Sequence, residues 1–208
     1  MTEQMSVKIA ALPSLRLTVE AHGLMAKKAL GQNFLLDQNI TDKIINLSLQ
    51  KQNKKDFSGA NVFEVGPGPG GLTRAVLAAE PKSLTVVEMD ERCIAIMNEI
   101  KEKTDDILHI INGDAMQTDF SVLAPAPRHI ISNLPYNISV PRLVGWLKNI
   151  NAYDSLTLMF QKEVAERITA PIKTKDYGRI SVLSQLQCRI DHLLDLNPCC
   201  FTPAPKIW

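Results

Sequence analysis

Apolar residues recur at two different periods along this chain. Ile40, Ile44 and Leu47 stand three to four residues apart, the spacing of a helix buried on one face, and Asp37 is positioned to cap it, so a helix is predicted over about 39–50. From residue 61 onward, short continuous apolar runs alternate with helical stretches. The runs predict strands over 61–65, 84–87, 107–111, 129–132, 155–160 and 190–196. Between them the spacing predicts helices over 72–79, 91–101, 161–169 and 178–188, and one more that Ser139 would cap, with Pro141 in its first turn and Leu143, Val144 and Leu147 inward. Strands apolar on both faces are those covered by helices on both sides, the arrangement of a parallel sheet. The predicted fold class is therefore α/β, a Rossmann-like, mostly parallel, doubly wound sheet of about seven strands in one domain. Residues 1–25 have no clear period and predict an extension with one helical turn.

Composition changes this picture little. With 45% hydrophobic and 22% charged residues in 208, the chain has enough material for one core. A net charge of +1 excludes a strongly basic field, so a nucleic-acid partner would have to be held by a local patch. Cys93, Cys188, Cys199 and Cys200 form no C-x-x-C pair and no histidines cluster at zinc-ligand spacing, which predicts no metal and a reducing, cytoplasmic setting. The apolar run Ile9 to Leu12 is cut by Pro13 and is too short for a membrane span or a signal core.

Candidate chemistry gathers at the carboxyl ends of the predicted strands, where open parallel sheets bind ligands. Gly66, Gly68, Gly70 and Gly71 follow the first strand in a loop stiffened by Pro67 and Pro69. The loop lacks both the G-x-G-x-x-G spacing and the Lys-Ser/Thr of a phosphate loop. A rigid loop that packs against a ligand without cradling phosphate suits S-adenosylmethionine. Glu88, 22 residues after Gly66, is placed to accept from ribose hydroxyls, though that spacing also suits NAD. Asp114, after the third strand, is placed to accept from the amine of an adenine. No metal is needed for transfer from a sulfonium.

Asn133-Leu134-Pro135-Tyr136 follows the fourth strand directly. An exocyclic amine on a planar base is a poor nucleophile because its lone pair is delocalised into the ring. Two acceptors, the Asn133 side-chain oxygen and the Leu134 or Pro135 carbonyl, could hold both amine hydrogens and push the nitrogen toward tetrahedral geometry. Tyr136 offers a face on which an extruded base can stack.

Eight stretches in order resemble the ribosomal RNA adenine N6,N6-dimethyltransferases: KALGQNFL ending at Leu35, VGPG at Gly66, VEMD at Glu88, GDA at Asp114, NLPYNIS beginning at Asn133, QKEV at Gln161, YGR at Tyr177 and FTPAPK beginning at Phe201. The nearest wording is that of the bacterial small-subunit, kasugamycin-resistance branch, and the similarity runs over about 27–207. The resemblance implies dimethylation of two adjacent adenines in a hairpin loop near the 3′ end of 16S RNA, in a pre-assembled 30S particle, by a monomer linked to late subunit assembly. It also implies that Asn33 and Leu35 cover the cofactor alongside Gly66, Glu88, Asp114 and Asn133, and that Phe201 is the second aromatic clamping the base against Tyr136. The related large-subunit, macrolide-resistance enzymes share the Asn-x-Pro-Tyr logic, and non-catalytic assembly or transcription factors use the same fold, although here every catalytic position named is filled with a competent residue. The QNFL and QKEV wording favours the small-subunit branch. The family's pattern divides the chain into an extension over 1–26 and a catalytic domain over 27–208, without the helical RNA-binding domain that relatives carry after the FTPAPK stretch. Lys27, Lys28, Lys162, Arg167, Lys173, Lys175 and Arg179 are candidates for a phosphate-contacting surface, and Met97, Met116 and Met159 read as core.

Overall fold

Five apolar runs separated by helices must pair side by side to satisfy their backbones. In a computed structural model, which describes residues 5–24 and 33–204, they do so in one parallel sheet. Its strands are β2 (Asn61–Val65), β3 (Ser83–Glu88), β4 (Leu108–Asn112), β5 (Arg128–Asn133) and β6 (Ser155–Met159), in the order β4-β3-β2-β5-β6. Every pairing in it is parallel, with Val65 beside Val87 and Glu88 beside Asn112. The strand order reverses between β2 and β5, and the crevice beyond their carboxyl ends is the switch point of the fold.

Alternation along β2 sends Val62 and Glu64 to one face and Phe63 and Val65 to the other, and all are buried. Val62 packs in the larger core with Phe57, Leu77, Leu84, Ile96 and Ile100; Phe63 and Val65 pack with Val87, Phe120, Ile130 and Trp146. Helices α3 (Gln38–Lys51), α4 (Gly71–Ala78), α5 (Glu91–Lys101), α6 (Tyr136–Leu147), α7 (Lys162–Thr169) and α8 (Arg179–Gln187) cover the sheet. Asp37 caps α3, accepting from Asn39 N, as its position predicts.

Three expectations about the sheet and α6 are corrected. The sheet has five strands; the other two strands, β1 (Phe34–Leu35) and β7 (Phe201–Thr202), form a separate antiparallel pair in which Leu35 faces Phe201. Residues 190–196 form no strand, because no described segment supplies a ladder partner for them. Between them and the open edge of β6 lies a cleft of about 850 Å³. Helix α6 starts at Tyr136 with Pro135 as its cap residue, so Pro141 lies inside the helix and Ser139 donates to the Tyr136 carbonyl instead of capping.

The aperiodic stretch before residue 25 predicts one helical turn, yet it contains two helices, α1 (Met5–Ala10) and α2 (Leu15–Ala21). Ile9, Leu15 and Leu24 are buried, and the guanidinium of Arg74 on α4 donates to the Pro13 carbonyl and to Thr18 Oγ1. These helices are thereby stapled to the sheet domain. No described helix is long and apolar enough to cross a membrane. Met97 is fully buried and Met159 packs on the core, whereas Met116 is exposed.

Candidate active site

The ends of the central strands are stitched together before any side chain faces the crevice. Ser132 Oγ donates to the Val65 carbonyl at 2.7 Å, Gly66 N to the Val87 carbonyl at 2.9 Å, and Gly113 N to the Glu88 carbonyl at 2.9 Å. Gly66 takes φ +64° and a Cβ on it would stand 3.7 Å from the Pro135 ring, so the glycine loop and the tetrapeptide meet there. Gly68 takes φ +55° under the Phe34 ring, which lets β1 lie over the loop.

One cleft is lined by Asn33, Leu35, Gly66, Glu88, Asp114, Asn133, Leu134, Pro135 and Tyr136 together. The geometry brings together nine of the ten residues singled out for site roles in the sequence. Phe201 is the exception: it lines the larger cleft beside β6, which Tyr136 also lines from the shared wall. No ring contact links the two aromatics among the described residues. Of the basic candidates, Lys162, Arg167, Lys173, Lys175 and Arg179 are exposed along α7, the following loop and the start of α8. Lys27 and Lys28 lie outside the described residues, as does most of the KALGQNFL stretch.

Each acceptor in the cleft has one side engaged and one side open. Glu88 Oε1 accepts from Met89 N at 2.8 Å and Asp90 N at 2.9 Å, whereas among the described residues Oε2 has only a long 3.4 Å contact from Gly68 N. Burial pushes the Glu88 carboxyl upward, and the three backbone donors oppose that. Asp114 Oδ1 accepts from Met116 N at 2.8 Å, and among the described residues Oδ2 has only Gln117 at 3.5 Å. Asn133 Nδ2 donates to the Asn33 carbonyl at 3.2 Å, turning Oδ1 away from that bond. The Pro135 carbonyl accepts from Ile138 N at 3.1 Å, in the first turn of α6, and no described group donates to the Leu134 carbonyl. Of the two carbonyls left open by the sequence, that of Leu134 is the one to which no described group donates. Burial raises the Tyr136 phenol above its ordinary range and keeps it neutral.

The sequence reading misses two residues here. Glu64 lines the cleft fully buried, its Oε2 accepting from Thr73 Oγ1 at 2.7 Å, and burial pushes its carboxyl up to about 8. A lone carboxylate inside the run Val62-Phe63-Glu64-Val65 is the signal that could have found it. Met89 lines the cleft with 60% of its surface exposed, which brings a thioether to the site. Among the described lining residues there are three carboxyls and no lysine or arginine. That acceptor set suits a ligand carrying positive charge and a polar edge, not a polyphosphate.

The family model for ribosomal RNA adenine dimethylase matches residues 23–207. The ribosomal RNA small subunit methyltransferase A of Rhodospirillum rubrum is 45% identical over 94% of this chain and 66% of its own length. That of Gluconobacter oxydans is 48% identical over 95% of this chain and 63% of its own length. The chain thus spans about two thirds of these curated relatives. A solved dimethyladenosine transferase from Plasmodium falciparum is 30% identical and superposes with a TM-score of 0.71, covering 82% of this chain and 58% of that one.

Proposed function

Because this chain belongs to the ribosomal RNA adenine dimethylase family, we propose that it transfers methyl groups from S-adenosylmethionine to N6 of two adjacent adenines in a hairpin loop near the 3′ end of 16S RNA. The substrate in this reading is a pre-assembled 30S particle, met in the cytoplasm by a monomer late in subunit assembly. Residues 27–208 act as the catalytic domain, with 1–26 as an extension.

The acceptor set of the cleft fits that cofactor. Glu88 Oε2 would take the ribose hydroxyls, Asp114 Oδ2 the adenine amine, and the glycine loop at Gly66 the amino-acid end, with Asn33 and Leu35 covering it. Bound there, the sulfonium supplies an electrophilic methyl group without a metal or a covalent enzyme intermediate. Asn133 Oδ1 and the Leu134 carbonyl accept the two hydrogens of the target amine and orient its lone pair. The same two oxygens stabilise the positive charge that grows on the nitrogen as the bond forms. Pro135 shapes the turn that presents the Leu134 carbonyl. Tyr136 gives the base a face, with Phe201 as the opposing ring once both aromatics close on the base; such stacking is worth about 1–3 kcal/mol per base. A loop adenine is cheaper to extrude than a paired one.

The observation that carries this reading is the amide of Asn133, held by Asn33 so that its oxygen stays available beside a Leu134 carbonyl to which no described group donates. The test is mass spectrometry of N6,N6-dimethyladenosine in each ribosomal RNA from cells lacking the gene, complemented with wild type or Asn133→Ala. Restoration in 16S RNA by wild type alone is expected. Restoration in large-subunit RNA only, or equal restoration by both genes, sinks the proposal.

A further inference from the structure

Arg142 is buried on α6 with 8% of its surface exposed, yet among the described residues no carboxylate stands at ion-pair distance from it. Its guanidinium carbon sits 4.8 Å from the Phe120 ring centroid and 4.7 Å from that of Trp146. Its Nη2 donates to the Thr118 carbonyl at 2.8 Å, and its Nε has no partner among the described residues. Burial lowers its pKa, with Tyr153, Asp119 and Asp114 pulling the other way. A buried cation with an unused donor costs stability that an apolar side chain of similar length, packed on the same two rings, would not cost. What the guanidinium adds over such a side chain is direction.

That direction leads into the site. Thr118 closes a tight turn: its Oγ1 donates to the Asp114 carbonyl at 3.0 Å, Gln117 N donates to the same carbonyl at 3.0 Å, and Met116 N donates to Asp114 Oδ1 at 2.8 Å. The orientation of the open Asp114 Oδ2 is therefore set by a turn whose far end is held by Arg142. Helix α6, which carries Arg142, begins at Tyr136 of the tetrapeptide. One side chain thus ties the turn beyond β4 to the helix beyond β5.

We propose that Arg142 is a positioning residue that holds the Asp114–Thr118 turn against α6 and thereby sets how strongly the site selects a ligand bearing an adenine amine. This rests on the reading above that Asp114 Oδ2 accepts from the amine of S-adenosylmethionine. The two rings give the guanidinium its place and the Thr118 carbonyl gives it its effect, so an apolar replacement keeps the packing and loses the selectivity.

Calorimetric titration of the 208-residue chain with S-adenosylmethionine and with its inosine counterpart, in which a carbonyl replaces the amine, tests this. Wild type is expected to prefer the amine by tenfold or more. Arg142→Met should weaken S-adenosylmethionine binding about tenfold, leave the inosine counterpart within about twofold, and so erase most of the preference, with turnover at saturating cofactor little changed. Arg142→Lys, which keeps a donor, should recover part of it. Thr118→Val, which loosens the turn from its other end, should reproduce the loss in milder form and serves if Arg142→Met fails to fold. Equal weakening of both ligands, or a lowered melting temperature with the preference intact, shows a role in packing alone and overturns the proposal. Absence of a preference in wild type defeats the Asp114 reading on which the proposal stands, and is seen before any variant is compared.

Discussion

Asn133 donates its side-chain N–H to the backbone carbonyl of Asn33, 100 positions earlier, at 3.2 Å. An amide has one donor end and one acceptor end, so this bond decides which is left for the crevice. Asn133→Ala removes the acceptor and should lower the rate of methyl transfer to undermethylated 30S particles by about 10²–10³-fold, the loss typical of one preorganised polar contact to a reacting centre. Asn133→Asp keeps an oxygen but discards the N–H that Asn33 holds, and should be no better than alanine. A rate within a few-fold of wild type for Asn133→Ala, in a protein of unchanged melting temperature, would remove this residue from the chemistry.

Glu64 makes the folded protein sensitive to alkali. Burial pushes its carboxyl from the ordinary 4.5 to about 8, with the nearby Glu88 adding to the rise and the Thr73 hydroxyl opposing it. Between those two values the native state holds a proton that the unfolded chain has released, so its contribution is complete below about pH 4.5 and is lost as pH climbs through about 8. Glu64→Gln cannot ionise and keeps an acceptor for Thr73. Its melting temperature should therefore fall less steeply than that of wild type between about pH 4.5 and about pH 8, and each ~1 kcal/mol of difference is worth about 2–4 °C in a chain of this size. A positively charged ligand beside Glu64 favours the ionised form, so cofactor affinity in wild type should rise with pH over the same window and stay flat in the variant. Parallel curves for the two proteins would contradict this assignment.

Arg74 fastens α1 and α2 to the sheet domain through Pro13 and Thr18. Hydrogen bonds from a charged donor contribute about 1.5–3 kcal/mol. Arg74→Met keeps much of the stem and removes both bonds, so it should destabilise the fold by roughly that amount. Limited proteolysis should then cut first within residues 1–24, well before the sheet. Wild-type cleavage rates in Arg74→Met would show that Ile9, Leu15 and Leu24 hold the segment unaided.

What the sequence makes legible here is what is local or periodic. The five strands of the sheet can be read because each is a short apolar run, and the polar or glycine clusters that follow β2, β3, β4 and β5 line the cleft. Pairing between distant residues leaves no such trace: Phe34–Leu35 and Phe201–Thr202 are two residues each, and only the fold brings them together. The run at 190–196 has the apolar content of a strand, but a strand also needs a neighbour. In α1 and α2 burial is shared among a few apolar residues at no regular spacing, so tertiary packing, not periodicity, makes the helices. Pro141 misleads in the opposite direction. It fits a first turn, yet Pro135 already sets the start of α6 and the helix tolerates one missing N–H further in. Arg142 is invisible to pattern reading altogether, since an arginine in an amphipathic stretch reads as surface until Phe120 and Trp146 are seen around it.

His129 gives the acid limb. It is buried at the base of β5, where Lys54 Nζ approaches its Nε2 at 2.9 Å and Ser155 Oγ its Nδ1 at 2.7 Å. An ammonium can only donate, so Nε2 must accept and Nδ1 carries the proton, donating to Ser155. Burial first, and then the Lys54 charge, lowers the imidazole from 6.5 to about 4. Here the sign is the reverse of that at Glu64: the unfolded chain takes up a proton that the native state refuses, so the contribution is present above about 6.5 and is lost as pH falls toward about 4. Between about 4.5 and about 6.5 the two groups oppose each other; above that range only Glu64 still titrates between the folded and unfolded states, and below it only His129 does. Melting curves across pH should separate them. Glu64→Gln should flatten the alkaline limb and leave the acid limb in place, whereas His129→Gln should lower stability at neutral pH through lost packing on Phe57 while making the acid limb shallower. An acid limb as steep in His129→Gln as in wild type would assign it to the surface carboxylates instead.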